Sequence, residues 1–248
     1  MSPAVRAEDA LAEGKGKGKS GGSRGRSALR SGRGTTVRVK TARGRRTSST
    51  RWLQRQLNDP YVAAAQRAGY RSRAAFKLEQ LDERFGLLKS GQRIVDLGAA
   101  PGGWTQVCVG RVGAGGLVVA IDLEAIEAMA GAVALAGDVF DPGLDQVLLE
   151  ASAGHRYDIV LSDMAPKTIG HRGTDHLRII ALAEAAFELA TSVLAPGGSF
   201  VAKVWQGGTE DALLAQIKTV FATVRHAKPK ASRADSAEVY LVAQGFRG

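Results

Sequence analysis

The nine residues Asp96–Trp104, D-L-G-A-A-P-G-G-W, decide how the rest of the chain is read. They follow a short apolar run, Arg93–Leu97 (R-I-V-D-L), which begins just after Gly91 and reads as a buried strand. Gly98, Gly102 and Gly103 let the turn take positive φ and approach a ligand without an intervening Cβ, and Pro101 stiffens it. With a helix over Trp104–Val112, the stretch makes the first unit of a doubly wound α/β sheet, in which ligands sit beyond the carboxyl ends of the strands. It predicts a nucleotide-type pocket.

Spacing narrows the ligand. A dehydrogenase turn reads G-x-G-x-x-G around a pyrophosphate, whereas this one reads G-x-x-x-G-G with an acid, Asp96, at the end of the strand. A second strand, Leu117–Ile121, ends at Asp122, about twenty residues past the glycines, where an acid accepts hydrogen bonds from ribose hydroxyls. A third, Ala132–Ala136, leads to Asp138, placed for an adenine edge. Acids at three successive strand ends suit S-adenosylmethionine, which carries a ribose and an adenine but no phosphate.

At 248 residues, 44% of them hydrophobic, the chain has enough apolar material for a sizeable core. Its net charge of +10 is unevenly spread: residues 1–55 hold 15 Lys and Arg against 3 acidic residues, and the remainder holds 19 against 21. A basic arm on a near-neutral body is the footprint of a polyanionic partner, nucleic acid before membrane surface. Residues 1–48 contain G-K-G-K-G-K-S-G-G-S-R-G-R-S and R-G-R-R-T, which cannot bury enough apolar surface to fold alone. They read as a disordered basic tail, with 49–248 as the folded domain. The tail is either a phosphate-contacting arm or a solubilising leader. No apolar run approaches the roughly 18 residues of a membrane span, and no signal-peptide core is present, so a soluble cytoplasmic protein is expected. Cys108 alone allows no intramolecular disulfide or thiolate metal cluster, and it reads as a small buried side chain. The scattered histidines offer no metal-ligand spacing, so no metal is expected, and nothing suggests a dimer seam, so a monomer is.

Order is expected from Ser49, since Trp52, Leu53 and Leu57 are the first apolar residues at helical spacing; Arg51, Arg55, Arg67, Arg71 and Arg73 keep this region basic. With Ser72 as N-cap, Ala74, Leu78, Leu81 and Phe85 form one face of an amphipathic helix ending near Gly86. Lys77 lies beside that stripe, and periodicity alone makes it a snorkelling surface lysine. After the third strand come a helix over Pro142–Ala153 and a buried fourth strand, Tyr157–Ser162, ending in D-M-A-P (Asp163–Pro166) where the cofactor would lie. An amino-group methylase would carry Asn or Asp followed by Pro-Pro and an aromatic there; this chain does not. A polar substrate loop, Lys167–Thr174, precedes a helix over Asp175–Leu194 with Leu177, Ile180, Leu182, Ala186 and Leu189 inward, closed by Pro196-Gly197-Gly198. Strand five, Ser199–Val204, is interrupted by Lys203, which costs free energy unless it is paired or points into a site. A helix (Glu210–Phe221), a strand (Thr223–His226), a basic loop (Lys228–Arg233) and a last strand (Glu238–Ala243) complete the chain. The closing strands have no helix between them and predict a hairpin, with the last strand antiparallel at one side of the sheet.

Six ordered motifs carry a resemblance: S-S-T-R-W-L, Y-R-S-R-A-A-F-K-L, D-L-G-A-A-P-G-G-W, L-S-D-M-A-P, L-A-P-G-G-S-F-V-A-K-V-W-Q-G and S-R-A-D-S-A-E-V-Y-L-V-A. From Ser49 onward the chain resembles the FtsJ (RrmJ) family, bacterial ribosomal RNA 2′-O-methyltransferases that act on a uridine ribose in the A-loop of 23S RNA of the large subunit. The first 48 residues lie outside it. The resemblance implies a Rossmann-like class I methyltransferase fold, with a mostly parallel seven-stranded sheet and an antiparallel last strand. It also implies S-adenosyl-L-methionine as cofactor, S-adenosyl-L-homocysteine as product, and a Lys-Asp-Lys-Glu tetrad falling on Lys77, Asp163, Lys203 and Glu238. The surface reading of Lys77 is thereby set aside. Family cofactor contacts fall on Gly102, Trp104, Asp122, Asp138 and Asp163, beside Asp96 and Gly98 from the turn itself.

The chemistry fits such a tetrad. A ribose 2′-hydroxyl is a very weak acid, so in-line attack on a sulfonium methyl is helped by orientation of the oxygen and by a positioned base. A lysine becomes a usable base when desolvation and a second ammonium destabilise its charge, and Lys203 beside Lys77 would have both. Asp163 would orient Lys203 and face the sulfonium, while Glu238 would balance Lys77. Lys203 is thus expected to act as base or as the group that steers the hydroxyl. Arg71, Arg73, Lys167, Lys228, Lys230 and Arg233 lie in segments near the expected cleft, where they could hold RNA phosphates. Only 6% of the residues are aromatic, which points to recognition of RNA by shape and backbone. Rival readings are the same chemistry on a tRNA or another RNA, a large-subunit assembly factor with dispensable catalysis, and a general RNA binder acting through the tail.

Overall fold

The computed structural model describes residues 47–166, 172–205 and 211–248. In chain order its elements are α1 (Thr47–Leu57), α2 (Pro60–Ala68), α3 (Ala75–Phe85), β1 (Arg93–Leu97), α4 (Gly103–Val112), β2 (Leu117–Asp122), β3 (Ala132–Ala136), α5 (Leu144–Ala151), β4 (Tyr157–Ser162), α6 (Arg172–Val193), β5 (Leu194–Trp205), α7 (Asp211–Val220), β6 (Phe221–Ala227) and β7 (Glu238–Phe246). Residues 1–46 of the expected tail and most of the expected substrate loop, including Lys167, lie outside the described residues, as does Glu210, while Thr47 and Ser48 open α1.

The strands form one seven-stranded sheet in the order β3-β2-β1-β4-β5-β7-β6, parallel except for β7. Central strands β1, β2 and β4 are buried along nearly their whole length, as parallel strands covered on both faces must be. One face packs Val95, Val119, Val160, Phe200 and Leu241 against α5, α6 and α7. The other packs Ile94, Val118, Leu161, Val201 and Tyr240 against α3 and α4. Leu78 and Leu81, fully buried on α3, each contribute about 1.5–3 kcal/mol to that second layer.

Several boundaries depart from expectation for physical reasons. The N-terminal region is two helices, broken where the Asp59 carboxylate caps α2 by accepting from the Tyr61 N–H at 3.0 Å. Ser72 does not cap α3: the N-cap is Ala74, and the Ser72 hydroxyl instead crowds Gly103 at the start of α4. Helix α5 is shorter than expected, because Gly143 at φ +83° begins it and Ala153 at φ +54° lies beyond its end. Helix α6 starts earlier, at Arg172, and its buried stripe is Ile179, Ala183, Ala186, Ala190 and Val193, spaced 4, 3, 4 and 3. Leu177 is off that stripe and 64% exposed, so its inward placement is corrected; Ala186 and Leu189 are buried as expected, and Ile180 and Leu182 only partly. Pro196-Gly197-Gly198 does not close a helix but forms an irregularity within β5, between the pairs Leu194↔Tyr157 and Ser199↔Ile159. The last strand is antiparallel, but it is inserted between β5 and β6, leaving β6 at the edge. Strand β7 is buried through Val239–Ala243, while β6 carries exposed Thr223, Arg225 and His226, so the more polar strand takes the solvent.

Candidate active site

Sheet register brings the expected tetrad together. In the antiparallel β5·β7 pair Lys203 stands opposite Tyr240 and Trp205 opposite Glu238; in the parallel β4·β5 pair Ser162 stands opposite Ala202. Asp163, one residue past β4, is therefore level with Lys203, and Lys203, Tyr240 and Glu238 share the face covered by α3. Helix α3 delivers Lys77 from above. Lys77 and Lys203 are both buried, 8% and 7% exposed, which burying an unpaired ammonium would not allow.

The contacts converge on Asp163 Oδ1. It accepts from the Tyr240 hydroxyl at 2.5 Å, lies 2.9 Å from Lys203 Nζ, and lies 3.8 Å from Lys77 Nζ. Lys203 Nζ also donates to the Asp163 carbonyl at 2.6 Å, so one residue grips it twice. Lys77 Nζ donates to the Tyr240 hydroxyl at 3.1 Å and lies 3.7 Å from Glu238 Oε2. Two ammonium groups and two carboxylates balance, which keeps the cluster tolerable under burial. Burial pushes the Asp163 carboxyl up, but Lys203, then Lys77 and the Tyr240 hydroxyl, outweigh it and hold the group below its ordinary range. Burial, reinforced by Asp163, keeps the Tyr240 phenol protonated far above its ordinary range, so it is a donor to Asp163.

Asp163 also lines a cavity of about 660 Å³ beyond the carboxyl ends of β1, β2, β3 and β4. Gly98, Asp122, Gly137 and Asp138 line it, with Ile121, Leu123, Phe140, Met164 and Leu182 among its apolar lining residues. Asp122 is half-engaged: its Oδ2 accepts from Ala100 N at 2.9 Å and its Oδ1 from Glu124 N at 2.8 Å, leaving further lone pairs on both oxygens. At Gly98 a Cβ would come within 2.6 Å of Met164 Cγ, so glycine is what lets the turn and the D-M-A-P segment close up beside the cavity. Four carboxylates, Asp122, Glu124, Asp138 and Asp163, beside apolar walls fit a nucleoside with an uncharged or cationic link to the reacting group. Arg178 is the only basic residue lining the cavity among those described, a poor cradle for a pyrophosphate. The residues present thus fit S-adenosylmethionine.

Residues 70–246 match the family model described as FtsJ-like methyltransferase. The chain belongs to the FtsJ-like methyltransferase family. It is 58% identical over 238 residues to the ribosomal RNA large subunit methyltransferase E of Paramagnetospirillum magneticum, covering 94% of this chain and 97% of that protein. To the protein of the same description from Rhodospirillum rubrum it is 61% identical over 216 residues, 86% of this chain and 82% of the other. Among solved structures, a ribosomal RNA methyltransferase of Plasmodium falciparum matches with a TM-score of 0.65 and 29% identity, over 72% of this chain and all of that one.

Within this FtsJ-like fold, three expected cofactor residues stand away from the cavity lining. Asp96 is fully buried under α4, where its Oδ2 accepts from the Thr105 hydroxyl at 2.7 Å. As a buried carboxyl, with Asp163 and Asp122 adding to the effect, it is pushed up from its ordinary 3.8 to about 7. The Trp104 side chain is in the core, its indole N–H donating to the Ala74 carbonyl at 2.8 Å and its ring 5.5 Å from that of Tyr240. Gly102 sits against Arg71 and Met129.

The expected RNA contacts divide as well. Arg71 is turned inward onto backbone carbonyls, and Lys228 Nζ donates to the carbonyls of Ser236 at 2.6 Å and Ala234 at 3.3 Å. Lys230 is exposed. Arg73 and Arg233 are held by one carboxylate, Asp59 Oδ2, at 3.0 and 3.6 Å, and Arg73 also donates to the Ala231 carbonyl. With Arg55 they line a groove of about 390 Å³ that contains Lys77 and Glu238. Sequence reasoning missed Tyr240 as a tetrad partner and Phe140, 57% exposed at the cavity wall. A tyrosine in an apolar strand gives no signal, but a large exposed aromatic beside Asp138 could have been read as a ring for an adenine to stack on.

Proposed function

We propose that this enzyme transfers a methyl group from S-adenosyl-L-methionine to the ribose 2′-hydroxyl of a uridine in the A-loop of 23S rRNA, acting on the large ribosomal subunit as a cytoplasmic monomer. The observation that carries this is the double grip of Asp163 on Lys203 Nζ at the edge of the cofactor-sized cavity. The relatives named for the ribosomal RNA of the large subunit support the substrate class. The bound cofactor would supply an electrophilic methyl group; every other component belongs to the chain.

Two of the four tetrahedral positions on Lys203 Nζ are N–H groups spent on the Asp163 carbonyl and Oδ1, and a third is the bond to carbon. The fourth points the remaining N–H, or the lone pair of the free amine, at the acceptor. In either state Lys203 orients the 2′-oxygen, and as the amine it takes the hydroxyl proton on Nζ while the new carbon–oxygen bond forms. Tyr240 and Lys77 keep Asp163 Oδ1 fixed, and Glu238 holds Lys77 in place. The groove beside Lys77 and Glu238 receives the acceptor strand, with Arg55, Arg73 and Arg233 contacting its phosphates. Labelled methyl should appear on large-subunit RNA in an alkali-resistant dinucleotide. Label confined to tRNA would keep the chemistry and move the substrate, and loss of ribosome assembly without any label would favour an assembly factor.

A further inference from the structure

We propose that Arg71 is a positioning residue for the cofactor, a clasp that holds the segment after β2 against the glycine turn. The proposal rests on reading the 660 Å³ cavity as the cofactor site.

The segment 123–131 runs from β2 to β3 without regular secondary structure, yet its first residues, Leu123 and Glu124, follow Asp122 along the cavity wall. Arg71 reaches it from the other side. One guanidinium nitrogen, Nη1, donates to the Glu127 carbonyl at 2.7 Å and lies 3.5 Å from the Pro101 carbonyl; Nη2 donates to the Ala128 carbonyl at 3.0 Å. Nη2 also lies 3.7 Å from the Glu127 carboxylate. Two successive carbonyls are thus bridged by one planar fork, which a lysine ammonium cannot reproduce. The base of the clasp is fixed too: the Arg71 N–H donates to Gln106 Oε1 at 2.7 Å, and Gln106 Nε2 donates to the Gly69 carbonyl at 3.1 Å.

Gly102 explains how tightly these parts meet. At φ +108° it lies where a Cβ would be 2.9 Å from Arg71 Nη1 and 3.2 Å from Met129 Cε, so glycine turn, arginine and segment touch one another. Arg71 itself does not line the cavity, so its influence on the cofactor passes through Asp122–Glu124. The same fork turned outward would be a phosphate contact, the role its place in a basic stretch suggests, but here its hydrogen bonds go to the protein.

The test compares the full-length protein with its Arg71→Ala and Arg71→Lys variants. Calorimetry with S-adenosyl-L-homocysteine measures cofactor affinity, methyl transfer to unmodified large subunits gives KM for the methyl donor and kcat, and RNA affinity is followed against salt. The clasp predicts that Arg71→Ala weakens S-adenosyl-L-homocysteine binding roughly tenfold to a hundredfold and raises KM alike. It predicts kcat at saturating donor within about twofold of the parent, partial rescue by lysine, and an unchanged salt slope for RNA. Unchanged cofactor affinity in Arg71→Ala overturns the proposal. A fall of about one in the salt slope with cofactor affinity intact makes Arg71 a phosphate contact instead. Should Arg71→Ala fail to fold, Arg71→Lys and Arg71→Gln carry the same comparison, since loss of the fork alone must then weaken S-adenosyl-L-homocysteine. Failure of the parent protein to bind S-adenosyl-L-homocysteine would instead remove the cofactor reading beneath it.

Discussion

Replacing Asp96 by asparagine should stabilise the protein in alkaline solution and lose part of that advantage by about pH 5.5. Asp96 is fully buried, only its Oδ2 has a hydrogen-bond donor, and burial raises its pKa from 3.8 to about 7. The folded chain therefore holds this proton between those two values while the unfolded chain has lost it. Stability from this group falls as pH rises from 3.8 and levels off once pH passes about 7. Asparagine keeps an oxygen for the Thr105 hydroxyl and cannot ionise. At about pH 8.5 the parent carries a buried charge in the folded state; at about pH 5.5 it is neutral there, and linkage over those ~1.5 units below the folded pKa amounts to ~2 kcal/mol. Urea unfolding of parent and variant at both pH values isolates the term, because groups common to the two cancel. The stability gap, variant minus parent, should shrink by about 2 kcal/mol from pH 8.5 to 5.5. A gap independent of pH would refute the assignment of a buried, proton-holding carboxyl.

Lys203→Ala should lower turnover by about 10²–10⁴-fold with S-adenosyl-L-homocysteine affinity retained, and Lys77→Met should lower it less; the reverse order in single-turnover assays would exchange their roles. Tyr240→Phe removes the hydroxyl that donates to Asp163 Oδ1 and accepts from Lys77, so kcat should fall about tenfold and stability by roughly 1–3 kcal/mol in urea titration. Gly98→Ala places a Cβ 2.6 Å from Met164 Cγ at φ +72°, which should cost roughly 1–3 kcal/mol and weaken cofactor binding measured by calorimetry.

Legibility in the sequence tracked locality. The strand, turn and helix around Asp96–Trp104 could be read because the apolar run, the glycines and the helix are consecutive, and β1 through β4 follow the same logic. Lys203 declared itself as a charge in an otherwise apolar strand. Lys77 did not, because its burial depends on β7 and Asp163 arriving from distant parts of the chain, and only the family resemblance pointed to it and to Glu238. Of the acids read at strand ends, Asp122 and Asp138 line the cavity, whereas the Asp96 side chain turns to Thr105 on α4. A side chain's face depends on the sheet's parity and its neighbours, which strand ends alone do not reveal. Charge and a place near the expected cleft make Arg71 a candidate phosphate contact, yet it spends its donors on protein carbonyls.

The most direct test of the central claim is transfer of labelled methyl from S-adenosyl-L-methionine to unmodified large ribosomal subunits, followed by alkaline hydrolysis of the RNA. Label is expected in one alkali-resistant dinucleotide, marking a 2′-O-methyl ribose, with its rate of appearance reduced about 10²–10⁴-fold in Lys203→Ala. Label on a base, or equal labelling by the Lys203→Ala variant, would contradict that claim.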